Sequence, residues 1–218
     1  MTDTRDPELP GVLLRTERDA LIPLLRDAPE SAFALRTACP GWTVRHVLAH
    51  CGAALNRLAE NRLEQGVFTP ESNDRDIAER ADWPIGRVVD ELERGMTEAG
   101  PMIAAAGGVL DRLALGEWVH AGDVREAFGV EGAYAGPGLG YALGLLTDAA
   151  ERRETPLLIA RLDGQEGELT FGVEREGRPA ARYAGDGATL IRLYAGRPLV
   201  GTRYELEGVR ENELIVFA

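Results

Sequence analysis

A chain of 218 residues with 44% hydrophobic content is long enough to bury one large core or two small ones. Its 36 acidic and 24 basic residues leave a formal charge of −12, which repels phosphate backbones and anionic lipid and so excludes nucleic acid and membrane surfaces as default partners. Every basic residue is arginine, which removes Schiff-base chemistry and a phosphate-cradling P-loop lysine.

In chain order, the opening MTDTRDPELPG lacks the apolar stretch of a signal peptide, and no later window is apolar for the length of a membrane span, so a soluble, cytoplasmic protein is expected. From Pro7 to Asp27, Val12, Leu13, Ala20, Leu21, Leu24 and Leu25 recur at helical spacing, a first helix. A second is expected from an N-cap at Thr43, after a Pro-Gly turn, to a stop at Gln65-Gly66 with Gly66 as C-cap. Thr69 to Asp76 is polar and reads as a loop. A third helix is predicted from about Pro84, through Val88, Val89, Leu92 and Met96. A fourth follows the Gly107-Gly108 break, with Leu110, Leu113, Val119, Val124 and Phe128 near one side and Gly129 ending it. GAYAGPGLG has neither the setting nor the spacing of a dinucleotide loop and reads as a linker. GYALGLLTDAAERR is a further helix. From Pro156 the pattern turns to short β-type runs, LLIARL, ELTFGV, ARYAG, TRYELEG and ELIVFA, with the helical GATLIRLYAG among them. The domain boundary is expected near residues 153 to 156, giving a helical domain 1–153 and a small α+β domain 154–218.

The three histidines all fall on the second and fourth helices, His46 and His50 on the one and His120 on the other. A spacing of four puts His46 and His50 on one helical face, a known way of offering two imidazoles to one metal ion. Glu117 stands three residues before His120 and Asp123 three after it, so either carboxylate completes a His/carboxylate set of the catalytic kind, with a position open for water. By spacing alone an ordinary pair of bundle histidines is the commoner outcome. Trp42 and Trp118 read as packing anchors, Cys51 as a small core residue, and both Cys39 and Cys51 as reduced thiols. The planar forks of Arg45 and Arg125 suit a carboxylate of a substrate or thiol.

GWTVRHVLAH at 41 to 50 and EWVHAGDVREAFG at 117 to 129 resemble the mycothiol-dependent maleylpyruvate isomerase-like family of the DinB/YfiT-like metal-binding superfamily, and GDGATLIRLYAGRPL at 185 to 199 resembles its small C-terminal domain. The resemblance implies an α+β protein: an N-terminal DinB-like four-helix bundle with a metal site, and a C-terminal unit like a sterol carrier protein. It implies a divalent metal, zinc by default, on His50 and His120. It also implies mycothiol, the low-molecular-weight thiol of actinobacteria, as co-substrate of an isomerase or S-transferase acting on a small electrophile, in a monomer or homodimer. The family's third ligand is a Glu four residues before the second His, where this chain has Gly116, with Glu117 one place later. Where the family has Asp, this chain has His46. The third ligand is therefore Glu117 or, alternatively, His46. Arg45 is the candidate for a substrate or thiol carboxylate. The rival reading is a non-catalytic metal- or ligand-binding protein of the same fold.

Overall fold

The computed structural model describes residues 5–63 and 69–217, in which elements form largely where capping and periodicity direct them. Helix α1 is Leu9–Asp27 and buries Leu13, Leu14, Leu21, Ile22 and Leu25. A 3-10 turn, Glu30–Ala34, follows and buries Phe33. Helix α2, Val44–Ala59, opens on Thr43, whose side chain accepts a hydrogen bond from the His46 amide. It ends earlier than expected because Asn61 takes a left-handed φ of 51°. There the Asn61 and Arg62 amides close back onto the Leu58 and Arg57 carbonyls, a Schellman-type stop with asparagine in the usual glycine position. The expected Gln65-Gly66 stop lies outside the described residues.

The polar stretch read as a loop is a helix, α3, Pro70–Glu79, with Thr69 as N-cap and Pro70 in its first turn. Ion pairs hold it rather than an apolar stripe. Asp76 takes a two-pronged contact from Arg57, and Arg80 reaches Glu91 at 2.5 and 2.7 Å. Helix α4, Ile85–Glu98, starts beside Pro84 as expected and buries Val88, Val89, Leu92 and Met96. A short α5, Gly100–Ala105, leads to α6, Asp111–Ala127. The expectation of one apolar side on α6 is corrected: Glu117, Trp118 and Val119 are buried in succession, so this helix is enclosed on nearly all sides. Its end is as read, with Gly129 at φ 72° and the Val130 amide on the Arg125 carbonyl. Helices α2 and α4 pack at very short range, since a Cβ on Gly95 would fall 2.6 Å from that of Leu55.

The chain divides into two compact units, residues 1–138 and 139–218. The division lies upstream of the expected 153/154 boundary because α7, Leu139–Arg152, groups with the second unit, where it packs on α8 and β2. That unit contains β1 (Leu158–Leu162), β2 (Leu169–Phe171), β3 (Ala181–Gly185), α8 (Gly187–Tyr194) and β4 (Tyr204–Glu207). The sheet order is β2-β1-β3-β4, with β1 and β3 parallel and the outer pairs antiparallel. The described part of ELIVFA, 213–217, forms no strand. A 3-10 turn at Glu211–Glu213 takes in its first residue, and the Val216 amide bonds the Tyr194 carbonyl instead of joining a ladder, while Leu214 and Val216 are buried. Among the described residues no helix is long and apolar enough to cross a membrane.

Candidate functional site

Two helices and one turn build the site, all within the first unit. Cys39-Pro40-Gly41-Trp42 forms a type II turn. Proline occupies its second position, Gly41 at φ 81° its third, and the Trp42 amide closes it on the Cys39 carbonyl at 3.1 Å. Thr37 and the Arg36 guanidinium, which donates to the Gly41 carbonyl at 2.8 Å, brace the turn from the other strand of a small hairpin. The turn carries Trp42 onto both imidazoles. Its ring lies 4.9 Å from that of His50 and is stacked 5.9 Å from that of His120. The two imidazoles, from α2 and α6, are 5.6 Å apart between centroids and nearly perpendicular.

His50 is nearly enclosed, and its Nδ1 is buried without a hydrogen-bond partner. Burial, helped by the neighbouring His120 and by Arg57, pushes its pKa down to about 3, so the ring is neutral at pH 7. His120 is oriented from behind, with Nδ1 3.1 Å from Asp123 Oδ2. Asp123, fully buried, accepts a 2.6 Å hydrogen bond from the Tyr134 hydroxyl on its other oxygen. A carboxylate behind a ring nitrogen fixes the imidazole's tautomer and directs the other nitrogen forward, as is usual for metal-binding histidines. Glu117 lies deeper. It is buried, with Oε2 unpartnered; the Cys51 thiol hydrogen-bonds to it, and burial raises the pKa of both groups. A cavity of about 10 Å³, close to the least that admits one water, borders Cys51, Glu117 and His120.

Two imidazoles on one tetrahedral zinc ion, with bonds of about 2.05 Å, set their ring centroids roughly 5.2 Å apart. The observed 5.6 Å is within a small side-chain adjustment of that spacing. The Cys39 sulfur, one nitrogen of His120 and one oxygen of Asp123 also lie within 4.8 Å of one another, a second arrangement of metal-compatible donors that shares His120.

Of the residues singled out in the sequence, the structure brings His50 and His120 together, with Glu117 beneath them. His46 points elsewhere, toward Arg36 and Arg45, whose charges together with burial lower its pKa. Arg45 is engaged with backbone. Its Nη2 donates to the carbonyls of Arg80 at 3.0 Å, Ala81 at 2.8 Å and Trp83, pinning the end of α3, a use of the fork that the sequence reading did not foresee. Arg125 is likewise committed, buried against Glu17 of α1 and donating to the Ala133 carbonyl at 2.6 Å. The segment read as a linker packs back on its own unit with Tyr134 3% exposed. Sequence reasoning missed that Cys39, Trp42 and Tyr134 lie beside these histidines or their partners. The Pro-Gly turn was the available signal for the first two, whereas Tyr134 sits in a Gly/Ala-rich run that offers none.

These features define a two-unit α+β protein with a polar centre between two helices of its first unit. The model of the family described as mycothiol maleylpyruvate isomerase N-terminal domain matches residues 14–126, and the chain belongs to that family. Two solved structures share the fold: the mycothiol-dependent maleylpyruvate isomerase and a histidine-to-alanine mutant of it. Each is 18% identical with a TM-score of 0.59, covering 95% of this chain and 96% of the other. No curated protein matches the sequence.

Proposed function

We propose that this chain is a metal-dependent enzyme that uses mycothiol, as an isomerase or S-transferase, on a small electrophilic substrate. The observation that carries the reading is the His50–His120 pair, two rings on facing helices 5.6 Å apart, one with a buried nitrogen that has no partner. Family membership supplies the thiol. The first unit is read as a DinB-like four-helix bundle of α1, α2, α4 and α6, and the second as like a sterol carrier protein.

His50 and His120 would hold the ion. A neutral His50 is in its ligating form without having to lose a proton, and Asp123 with Tyr134 keeps His120 turned to it. A divalent ion there, zinc in the first instance, supplies a lowered pKa for a thiol or water, so that a nucleophile exists at neutral pH. Trp42 covers both rings and keeps bulk water from that face, which strengthens electrostatic interactions beneath it. Glu117 accepts a hydrogen bond from the Cys51 thiol and supports the site from below. One observation favours the rival reading of a non-catalytic binding protein: Glu117 is directed to Cys51, so the family's carboxylate position is altered.

Metal analysis of protein purified without chelator, followed by mycothiol conjugation assays on a panel of electrophiles, tests the proposal. Bound metal lost in both His50→Ala and His120→Ala, together with thiol turnover, is the expected result. Metal without turnover selects the binding protein. Absence of metal, with His50→Ala as stable as the parent, overturns the proposal.

A further inference from the structure

We propose that the buried Glu17–Arg125 pair is a positioning device for His120, acting through the segment that carries Tyr134. The inference deepens the metal reading above and rests on it for the ion that His120 would hold.

Helix α6 ends at Gly129, and the chain beyond folds back onto the helix it has just left. The Tyr134 ring lies over Gly122, so close that a Cβ there would fall 2.2 Å from it. Arg125 fixes this segment. Its Nε donates to the Ala133 carbonyl at 2.6 Å, one residue before Tyr134, and its Nη2 lies 3.5 Å from where a Cβ on Gly136 would stand. On its other side, Nη1 is held by the Glu17 carboxylate of α1. From Tyr134 two contacts reach the imidazole: the hydroxyl donates to Asp123 Oδ1 at 2.6 Å, and Asp123 Oδ2 is 3.1 Å from His120 Nδ1. An ionised carboxylate only accepts hydrogen bonds, so the proton between them sits on Nδ1 and the lone pair of Nε2 is left for a metal ion.

Stability alone does not account for the pair. A buried ion pair offsets its desolvation only where further hydrogen bonds satisfy its remaining polar atoms. Here Glu17 Oε2 and Arg125 Nη2 are both buried without a hydrogen-bond partner, and burial raises the Glu17 pKa against the pull of Arg125. Apolar residues of similar volume would fill the space at least as well. They could not hold the Ala133 carbonyl. A planar guanidinium presents donors in two directions at once, one toward Glu17 and one toward the segment, and so ties the backbone beside Tyr134 to both α1 and α6.

The test uses the full chain, freed of metal and labelled with ¹⁵N, at mildly alkaline pH. Long-range ¹H–¹⁵N correlation reads which ring nitrogen carries the proton, and because the chain has three histidines, His46→Gln and His50→Gln assign the His120 signals. The parent is expected to show His120 with its proton on Nδ1 alone. Two variants remove the positioning: Glu17→Leu with Arg125→Met, and Arg125→Lys, which keeps the charge beside Glu17 but not the planar fork. In both, His120 is expected to exchange between its two tautomers and Co²⁺ to bind at least about tenfold more weakly, the lower end of the effect of losing an outer partner. Arg5→Ala breaks the ion pair with Asp111 at the other end of α6 and is expected to lower the urea midpoint while leaving both readouts as in the parent. Circular dichroism checks that each variant is folded. A proton on Nε2 in the parent, or a His120 tautomer unchanged in both Arg125 variants, overturns the proposal. Tautomer exchange in Arg5→Ala also overturns it, because any weakening of the unit would then suffice. A parent that binds no Co²⁺ overturns the metal reading, and the tautomer comparison then decides the positioning by itself.

Discussion

Gly122→Ala places two physical effects in opposition and lets their magnitudes decide. Gly122 lies inside α6, where alanine is intrinsically favoured by about 1 kcal/mol. A Cβ there would, however, fall 2.2 and 2.4 Å from Cδ1 and Cε1 of Tyr134. Carbon atoms rest at about 3.5–4.0 Å, so the ring must withdraw by more than an ångström, and with it the hydroxyl that donates to Asp123 at 2.6 Å. Overpacking costs about 1–3 kcal/mol, and leaving the buried Asp123 oxygen without its donor a further 1–3, roughly. The helix preference offsets about 1 kcal/mol of this, so the net destabilisation is about 1–5 kcal/mol, centred near 3. Trp42, Trp83 and Trp118 all lie in the first unit, so tryptophan fluorescence during urea unfolding reports on that unit alone. Adding Tyr134→Ala should reverse the sign: in that background Gly122→Ala is neutral or stabilising. A Gly122→Ala protein as stable as the parent would refute the reasoning, because propensity would then have outweighed packing.

The pKa of His50 is about 3 in the folded chain and about 6.5 when unfolded. The unfolded state therefore takes the proton first. Stability is full above pH 6.5 and declines toward pH 3, by about 2 kcal/mol between pH 7 and 5 in metal-free protein, and His50→Gln should remove that part of the slope in urea midpoints. Arg45→Ala loses the bonds to three carbonyls and should cost about 1.5–3 kcal/mol while metal content stays unchanged; an unchanged urea midpoint would show that these bonds do not hold the end of α3. Glu17→Ala leaves Arg125 buried and uncompensated, an expected loss of about 3–5 kcal/mol, whereas Glu17→Leu with Arg125→Met should unfold at nearly the parental urea concentration. A mild effect of Glu17→Ala alone would show that the pair is hydrated.

Capping chemistry made much of the first unit legible. Thr43, Pro84 and Gly129 mark element ends because each satisfies or removes an orphan backbone group, and those rules act locally. Helix α3 escaped because what holds it is distant in sequence: Asp76 meets Arg57, and Arg80 meets Glu91, neither of which leaves an apolar period. Helix α7 was legible as a helix, but not the unit it groups with, since periodicity reports which face is apolar and not what covers it. In the site, the His50–His120 pair was legible from the motif. The position of Cys39 was not, because proximity through a turn depends on how Pro40 and Gly41 aim the chain at a helix about eighty residues away. The backbone contacts of Arg45 were hidden for a related reason: a guanidinium suited to a carboxylate is equally suited to a cluster of backbone carbonyls.

The contact of Gly95 with Leu55 has a mechanical consequence. At that one point no rotatable group lies between the two backbones, so a slide of α2 past α4 runs into the Leu55 side chain, and the height of His50 on α2 is tied to α4. Whatever admits a substrate to the rings must yield elsewhere in the unit, at the hairpin that carries Cys39 and Trp42 or at the segment that carries Tyr134. Relatives of this protein could thus exchange substrates by rewriting those two short stretches while the helices beneath stay as they are.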